Sequence, residues 1–303
     1  MIDTFRAEPL DYKKVLENIV NGTAEYLTKN KIKTQVLGIS GGIDSTVTAA
    51  ICHLVYRKTG IPLIGLSLPC STNKDDEKSA ASLVGEEFCN EFKELNMQGT
   101  FECVENFCNN SGVSTPISQG NIKARLRMIT LYDIASKSGG IVFDTDNLTE
   151  CFLGFWTIKG DEGDFNPIGG LWKHEVYGLA NYLKKEVFKD SKSLEASIAL
   201  MPTDGNGVKE GGDLAQIAPN KTYDDVDEIL HAWVGLDSRI KDDIIKADFD
   251  YGVFKKLNEK HGKDIVKMVI MRSINSEFKR KQRPFVIDIY RGIICDKSGN
   301  ILV

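Results

Sequence analysis

The 303-residue chain contains no C-x-x-C pair, no H-x-x-x-H pair and no apolar run long enough to span a membrane. Its seven cysteines (Cys52, Cys70, Cys89, Cys103, Cys108, Cys151 and Cys295) follow no regular spacing, and its four histidines are scattered. An odd, unpatterned set of thiols argues against a disulfide framework or a zinc site. It fits reduced, mostly buried cysteines in a cytosolic protein. The opening residues, MIDTFRAEPLDYKK, lack the apolar stretch of a signal peptide. A cytoplasmic protein with no membrane association is therefore expected. Positive charge is not in excess either: the formal net charge is −5, which argues against a general nucleic-acid binder. It leaves room for a small basic pocket around a phosphorylated ligand.

The chain does hold enough apolar sequence, 42% of its residues, to bury one large core. Val15, Ile19, Ala24 and Leu27 recur at helical spacing within 11–30. TQVLGIS then reads as a buried strand, and Ser45 to Lys58 as a helix stopped at Gly60 with Pro62 beyond. IPLIGLSLP and EFKELNM read as further strands. The acidic run between them starts a helix, with Asn73 as its expected cap. A long helix over TPISQGNIKARLRMITLYDIASKSGG leads to a fourth strand, IVFDT. Such alternation predicts an α/β fold, a parallel twisted sheet with helices on both faces. After residue 155 two long loops rich in glycine, aspartate and asparagine interrupt the pattern, and 222–281 reads as short amphipathic helices.

The segment QVLGISGGIDSTVTAAICHLV, Gln35 to Val55, carries the chemistry. A glycine turn between strand and helix aims free backbone N–H groups at one point, and the helix dipole adds positive potential there. Ser40, Ser45 and Thr46 add hydroxyls, while Gly41 and Gly42 let an anion approach the backbone closely. The commonest triphosphate loop ends in lysine, whereas here that place is taken by Asp44. A carboxylate beside bound phosphates makes sense mainly with Mg²⁺ between them.

The ordered string SGGIDS resembles the loop of the ATP pyrophosphatase group, which grips the departing pyrophosphate while the substrate is adenylylated. Downstream, GNIKARLRM (Gly120–Met128) and DTDNLTECFLGFWTIKGDEGDFNPIGGLWKHEV (Asp144–Val176) resemble the NAD synthetase family, as do KTYDDVDEIL (Lys221–Leu230) and EFKRKQRP. The resemblance spans about residues 12–288. It implies an adenine-nucleotide alpha-hydrolase-like fold, Rossmann-like and helical at its C-terminal end, and a homodimeric ligase. That ligase would convert deamido-NAD, ATP and ammonia into NAD, AMP and pyrophosphate. It also implies roles: Ser40, Gly41, Gly42, Asp44 and Ser45 holding ATP phosphates, and Asp44 with Glu150 holding Mg²⁺. Thr145 and Thr203 would contact ATP, and Lys173 its phosphates. Arg125, Asp164 and Lys279 would contact deamido-NAD, with Asp161 near ammonia. Asp44, Asp161 and Lys173 would then be the catalytic set. A single domain over 1–303 is expected: an α/β core over about 31–200, a substrate-covering loop over about 201–221 and a helical part over about 222–288. About 35 residues precede the first strand, too few for a glutamine amidotransferase domain.

Some family positions do not match. Asp144 stands where a glycine is expected before Thr145, and Ile158 where a lysine is expected. Leu200 and Met201 precede Pro202 in place of a lysine, Leu214 replaces a glutamate, and Phe278 replaces a histidine. These departures keep open a second reading, the same scaffold adenylylating a different carboxylate. A third, a non-catalytic adenine-nucleotide-binding protein, has no need of both Asp44 and Glu150.

Overall fold

A computed structural model describes residues 10–280 apart from 72, 74, 111 and 201–213, together with 294–295 and 301–302. Four strands form one parallel sheet in the order β3 (Glu91–Glu94), β2 (Leu63–Ser67), β1 (Thr34–Gly38), β4 (Gly140–Phe143). The register pairs Val36 with both Ile64 and Val142, and Ile64 with Glu91. Because parallel strands need helical crossovers, helices cover both faces. Alternate residues of β1 accordingly enter different cores. Leu37 packs with α1 (Tyr12–Lys29) and α2 (Ile43–Thr59), while Val36 packs with α4 (Gln98–Asn109) and α5 (Pro116–Ser138).

The first helix shows why the pattern folds this way. Asp11 caps it by accepting from the Lys14 N–H at 3.2 Å. Val15, Ile19 and Leu27 lie on one stripe and are fully buried. Each such side chain contributes about 1.5–3 kcal/mol by leaving water, so Ile19→Asp would detach the helix. α2 ends at Gly60, whose φ of 75° no β-carbon residue adopts cheaply. Asn73 does not simply cap α3 (Asp75–Phe88): its side-chain oxygen accepts from the Cys70 N–H and from Arg127, and its amide donates to Glu77.

Beyond β4 lie α6 (Leu148–Leu153), α7 (Lys173–Tyr182), a five-residue π turn and α8 (Lys192–Ala199). Then come α9 (Leu214–Ile217), α10 (Tyr223–Val234), α11 (Ser238–Lys246), α12 (Val253–His261), α13 (Lys263–Asn275) and α14 (Glu277–Arg280). The helical part has its own core, where Trp172, Leu230, Phe254 and Val269 meet. α6 gives Leu148, Phe152 and Leu153 to this core, while α7 packs on α10 and gives Val176 and Leu179 to the core under the sheet. Among the described residues, no helix is long and apolar enough to cross a membrane.

Candidate active site

A cavity of about 380 Å³ opens at the carboxyl ends of β1, β2 and β4. In open α/β sheets this is where ligands bind. Its floor is the loop from Ser40 to Ser45. Gly41 has φ 83°, and a β-carbon there would lie 2.6 Å from the Glu77 carbonyl oxygen and 2.7 Å from the Ala81 nitrogen. Only glycine lets α3 press so closely against the loop. Ser45 Oγ donates to the Gly42 carbonyl at 3.1 Å and lies 3.0 Å from Ser40 Oγ, while the Gly42 N–H donates to Ser40 Oγ at 3.2 Å. From α8, Ser197 Oγ donates to the Gly41 carbonyl at 3.1 Å and meets Thr46 Oγ1 at 2.6 Å. The loop is therefore held from three sides before any ligand arrives.

Behind the loop sits a buried ion cluster. Lys173 Nζ lies 2.5 Å from Asp44 Oδ2 and 3.0 Å from Glu150 Oε1, with 3% of its side chain exposed. Asn147 Nδ2 donates to the other Asp44 oxygen at 2.9 Å. Asn147 also caps α6: its oxygen accepts from the Glu150 N–H, and Glu150 Oε2 accepts from the Asn147 N–H. Burial opposes the charge on Lys173, but the two carboxylates outweigh it and hold the ammonium well above the usual lysine range. Burial pushes the Glu150 carboxyl up to about 7; Lys173 pulls it down and Asp44 pushes it further up.

The two carboxylates fit Mg²⁺. The ion takes oxygen donors, keeps waters, and needs only one or two protein carboxylates when substrate phosphates complete its shell. Among the described residues no group of three or more candidate ligands exists.

Asp161 and Glu162 line the opposite wall. Asp161 Oδ1 accepts from the Thr157 N–H at 2.7 Å. Crowding by the surrounding chain, with Asp144 and Glu162 adding to it, raises its carboxyl above the usual aspartate range. The residue keeps surface open to solvent, which moderates that shift. Thr145 lines the cavity, whereas Thr203 falls outside the described residues.

The three residues assigned to deamido-NAD stand elsewhere. Arg125 is exposed and donates to the Ile158 carbonyl at 3.2 Å. Lys279 Nζ donates to the carbonyls of Gly154 (2.7 Å) and Trp156 (2.6 Å). Asp164 accepts from Tyr132 Oη and from the Val142 N–H, each at 3.0 Å. Arg125 and Lys279 hold carbonyls of the segment 154–164, Asp164 ends that segment, and none of the three is among the residues lining the cavity.

Sequence reasoning missed Arg127, which does line the cavity and donates to the Leu68 carbonyl at 3.2 Å. Helical geometry could have found it. Arg127 is four residues from buried Lys123 and so shares its face, while Arg125 points the other way. Asn147 was also missed, although N-L-T-E is a capping-box pattern.

A parallel sheet whose central strand feeds a glycine loop, backed by two carboxylates and a lysine, defines an α/β protein built to hold nucleotide phosphates. Comparison with known proteins narrows that class. The NAD synthase family model matches residues 15–283. The NH(3)-dependent NAD(+) synthetase of Wolinella succinogenes is 29% identical over 271 residues, covering 89% of this chain and 94% of that protein. The solved NH3-dependent NAD synthetase from Campylobacter jejuni, in complex with the nitrate ion, superposes with a TM-score of 0.65 at 25% identity. It covers 92% of this chain and 100% of that one. NMN synthetase from Francisella tularensis gives a TM-score of 0.67 at 24% identity, covering 88% and 96%, a likeness of fold. The chain belongs to the NAD synthase family and is accordingly an enzyme, a ligase.

Proposed function

We propose that this chain amidates deamido-NAD with ammonia in an ATP-dependent reaction, giving NAD, AMP and pyrophosphate. The observation that carries the reading is one cavity lined by the SGGIDS loop, Asp44, Glu150, Lys173 and Asp161, in a chain matched to the family over 15–283.

A nicotinate carboxylate does not react with an amine until one oxygen becomes a leaving group. Its oxygen attacks the α-phosphorus of ATP, the bond to the β-phosphate oxygen breaks, and pyrophosphate departs. Ammonia then attacks the acyl carbon, and AMP leaves with the carboxylate oxygen. The backbone N–H groups at Gly41 and Gly42 and the hydroxyls of Ser40 and Ser45 hold the β- and γ-phosphates. Lys173 turns its ammonium from the two carboxylates toward the charge that grows on the departing pyrophosphate. Asp44 and Glu150 are the residues that would hold Mg²⁺, which when bound neutralises phosphate charge and aligns the phosphates. Thr145 and Thr203 complete the ATP contacts. Asp161, with its raised pKa, receives a proton from ammonium near neutral pH.

Arg125, Asp164 and Lys279 remain the proposed deamido-NAD contacts. The meeting of Arg125 and Lys279 on carbonyls of the segment that Asp164 ends supports a second binding region beside the ATP cavity. Homodimerisation belongs to the same proposal, supported by Phe107, Ile117 and Ile129, which α4 and α5 leave exposed. A cytoplasmic location completes it.

The purified protein is incubated with ATP, Mg²⁺ and ammonium, with and without deamido-NAD. AMP and pyrophosphate appear only with deamido-NAD, and Asp44→Ala abolishes them while the fold is retained. ADP and phosphate would overturn the reaction class. AMP formation only with another carboxylic acid would overturn the substrate assignment.

A further inference from the structure

The helix motif Tyr223–Leu230 has no part in the chemistry above, yet two of its residues face the ion cluster. Tyr223 and Asp227 stand four apart on α10 and so share one face. The Lys173 ammonium lies 5.2 Å from the centre of the Tyr223 ring. Asp227, 1% exposed, addresses the backbone instead. Its Oδ2 accepts from the His174 N–H at 3.0 Å and lies 2.8 Å from His174 Nδ1. Its Oδ1 accepts from Thr149 Oγ1 at 2.5 Å, and the same Thr149 oxygen accepts from the Lys173 N–H at 2.8 Å.

Two of these contacts, those of the Lys173 and His174 N–H groups, satisfy donors that the first turn of α7 leaves without helical partners. They also tie that turn to the first turn of α6. The residues tied, Thr149 and His174, are the chain neighbours of Glu150 and Lys173. One buried carboxylate therefore fixes the starts of the two helices that present the phosphate-facing lysine and a metal carboxylate. Buried negative charge is favourable there because both helix dipoles point their positive ends at it.

We propose that Asp227 is a positioning residue for the amidation reaction, setting Lys173 through the Thr149 and His174 contacts, with Tyr223 bounding the ammonium. The proposal rests on the role given above to Lys173. A carboxylate is required because three donors converge on it; asparagine keeps the volume but turns one oxygen into a donor.

The test is a double-mutant cycle on full-length enzyme. Asp227→Asn and Thr149→Val are made alone and with Lys173→Met, and AMP formation is measured against ATP concentration at saturating deamido-NAD and ammonium with Mg²⁺. Each single variant lowers kcat by about 10–100-fold, the range for residues that orient a neighbouring functional group. The ATP KM moves by less than about threefold, as for an interaction used mainly in the transition state. In the Lys173→Met background the same changes cost less than about threefold more, because the group they position is gone. Losses that multiply in the double variants, or a folded Asp227→Asn enzyme with parental kcat, would overturn the positioning role. Should Asp227→Asn not fold, Thr149→Val decides on the same cycle. Parental turnover in Lys173→Met alone would instead sink the reading of Lys173, and the role of Asp227 with it.

Discussion

Replacing Lys173 by methionine tests the ion cluster as a physical object, independently of turnover. Methionine keeps the length and apolar stem but deletes the charge between Asp44 and Glu150. At an effective dielectric of about 20, unit charges at those two separations attract by about 7 and about 6 kcal/mol. Burial of all three groups offsets most of that gain. The net cost of leaving two buried carboxylates without their cation is about 3–5 kcal/mol. For a chain of this size that lowers Tm by roughly 5–8 °C.

The deficit has a characteristic pH dependence. The Glu150 carboxyl already titrates near 7 with the ammonium beside it, and losing the ammonium raises it further. A carboxyl whose folded pKa exceeds its unfolded value binds more protons in the folded state, so its contribution to stability declines as pH rises between the two values. The Lys173→Met deficit is therefore smaller near pH 5, where Glu150 takes up a proton and only the lost Asp44 contact remains, and it grows as pH rises above about 7. Mg²⁺ without nucleotide restores part of the lost Tm in the variant and little in the parent. Thermal scans from pH 5 to 8.5, with and without Mg²⁺, check all three statements. A variant as stable as the parent at pH 8, or a deficit equal at every pH, would refute the cluster as described.

Three further outcomes follow from single residues. Gly41→Ala meets backbone at 2.6 and 2.7 Å in a left-handed conformation; it destabilises by about 1–3 kcal/mol and weakens ATP binding, and calorimetric ATP affinity at the parental value would count against the cradle. Asp161→Asn lowers kcat/KM for ammonium by about 100-fold or more. The parent gains activity through neutral pH as Asp161 loses its proton, and the variant keeps only the climb due to ammonium itself; identical pH profiles contradict the role. Arg272 donates from Nε to the Leu153 carbonyl at 2.7 Å, at the end of α6; Arg272→Met costs about 1–3 kcal/mol, measured by urea unfolding, and an unchanged midpoint would show that the α6 terminus holds without it.

The sheet and the phosphate loop were legible in the sequence because each is written locally. Strand β1 is a short apolar run ending in the glycine loop, and α5 runs from a proline to paired glycines. The helix α4 was not picked out, although Phe101, Val104 and Phe107 recur at helical spacing; only Phe101 of that stripe is buried. Within the site, SGGIDS, Glu150, Asp161 and Lys173 could be picked out and they do converge. Arg125, Asp164 and Lys279 share the motifs but not the cavity, because a motif fixes order along the chain and not the direction a side chain takes. Asp227 was hidden for the same reason: it acts across 53 residues of sequence on the His174 backbone, a contact that no local pattern encodes.

The charge of the cavity connects these pieces. Seven carboxylates and three cations line it, so its wall is acidic and a bare triphosphate would be repelled. Two features reconcile this with ATP. The SGGIDS loop presents dipoles instead of charges, which attract phosphate without adding a cation that must later release it. The two carboxylates beside the loop are partly neutralised from within by Lys173; on the reading proposed above, Asp44 and Glu150 would hold Mg²⁺ and the ammonium would then be free for the phosphates. The acidic wall on the opposite side, at Asp161 and Glu162, then favours a small cation over other nucleophile carriers, and ammonium is such a cation. The departure from the commonest phosphate loop, aspartate where lysine is usual, follows from this division. The lysine stands at the start of α7 instead of in the loop, with Tyr223 of α10 against it, and on the proposed reading Asp44 in the loop would serve the metal.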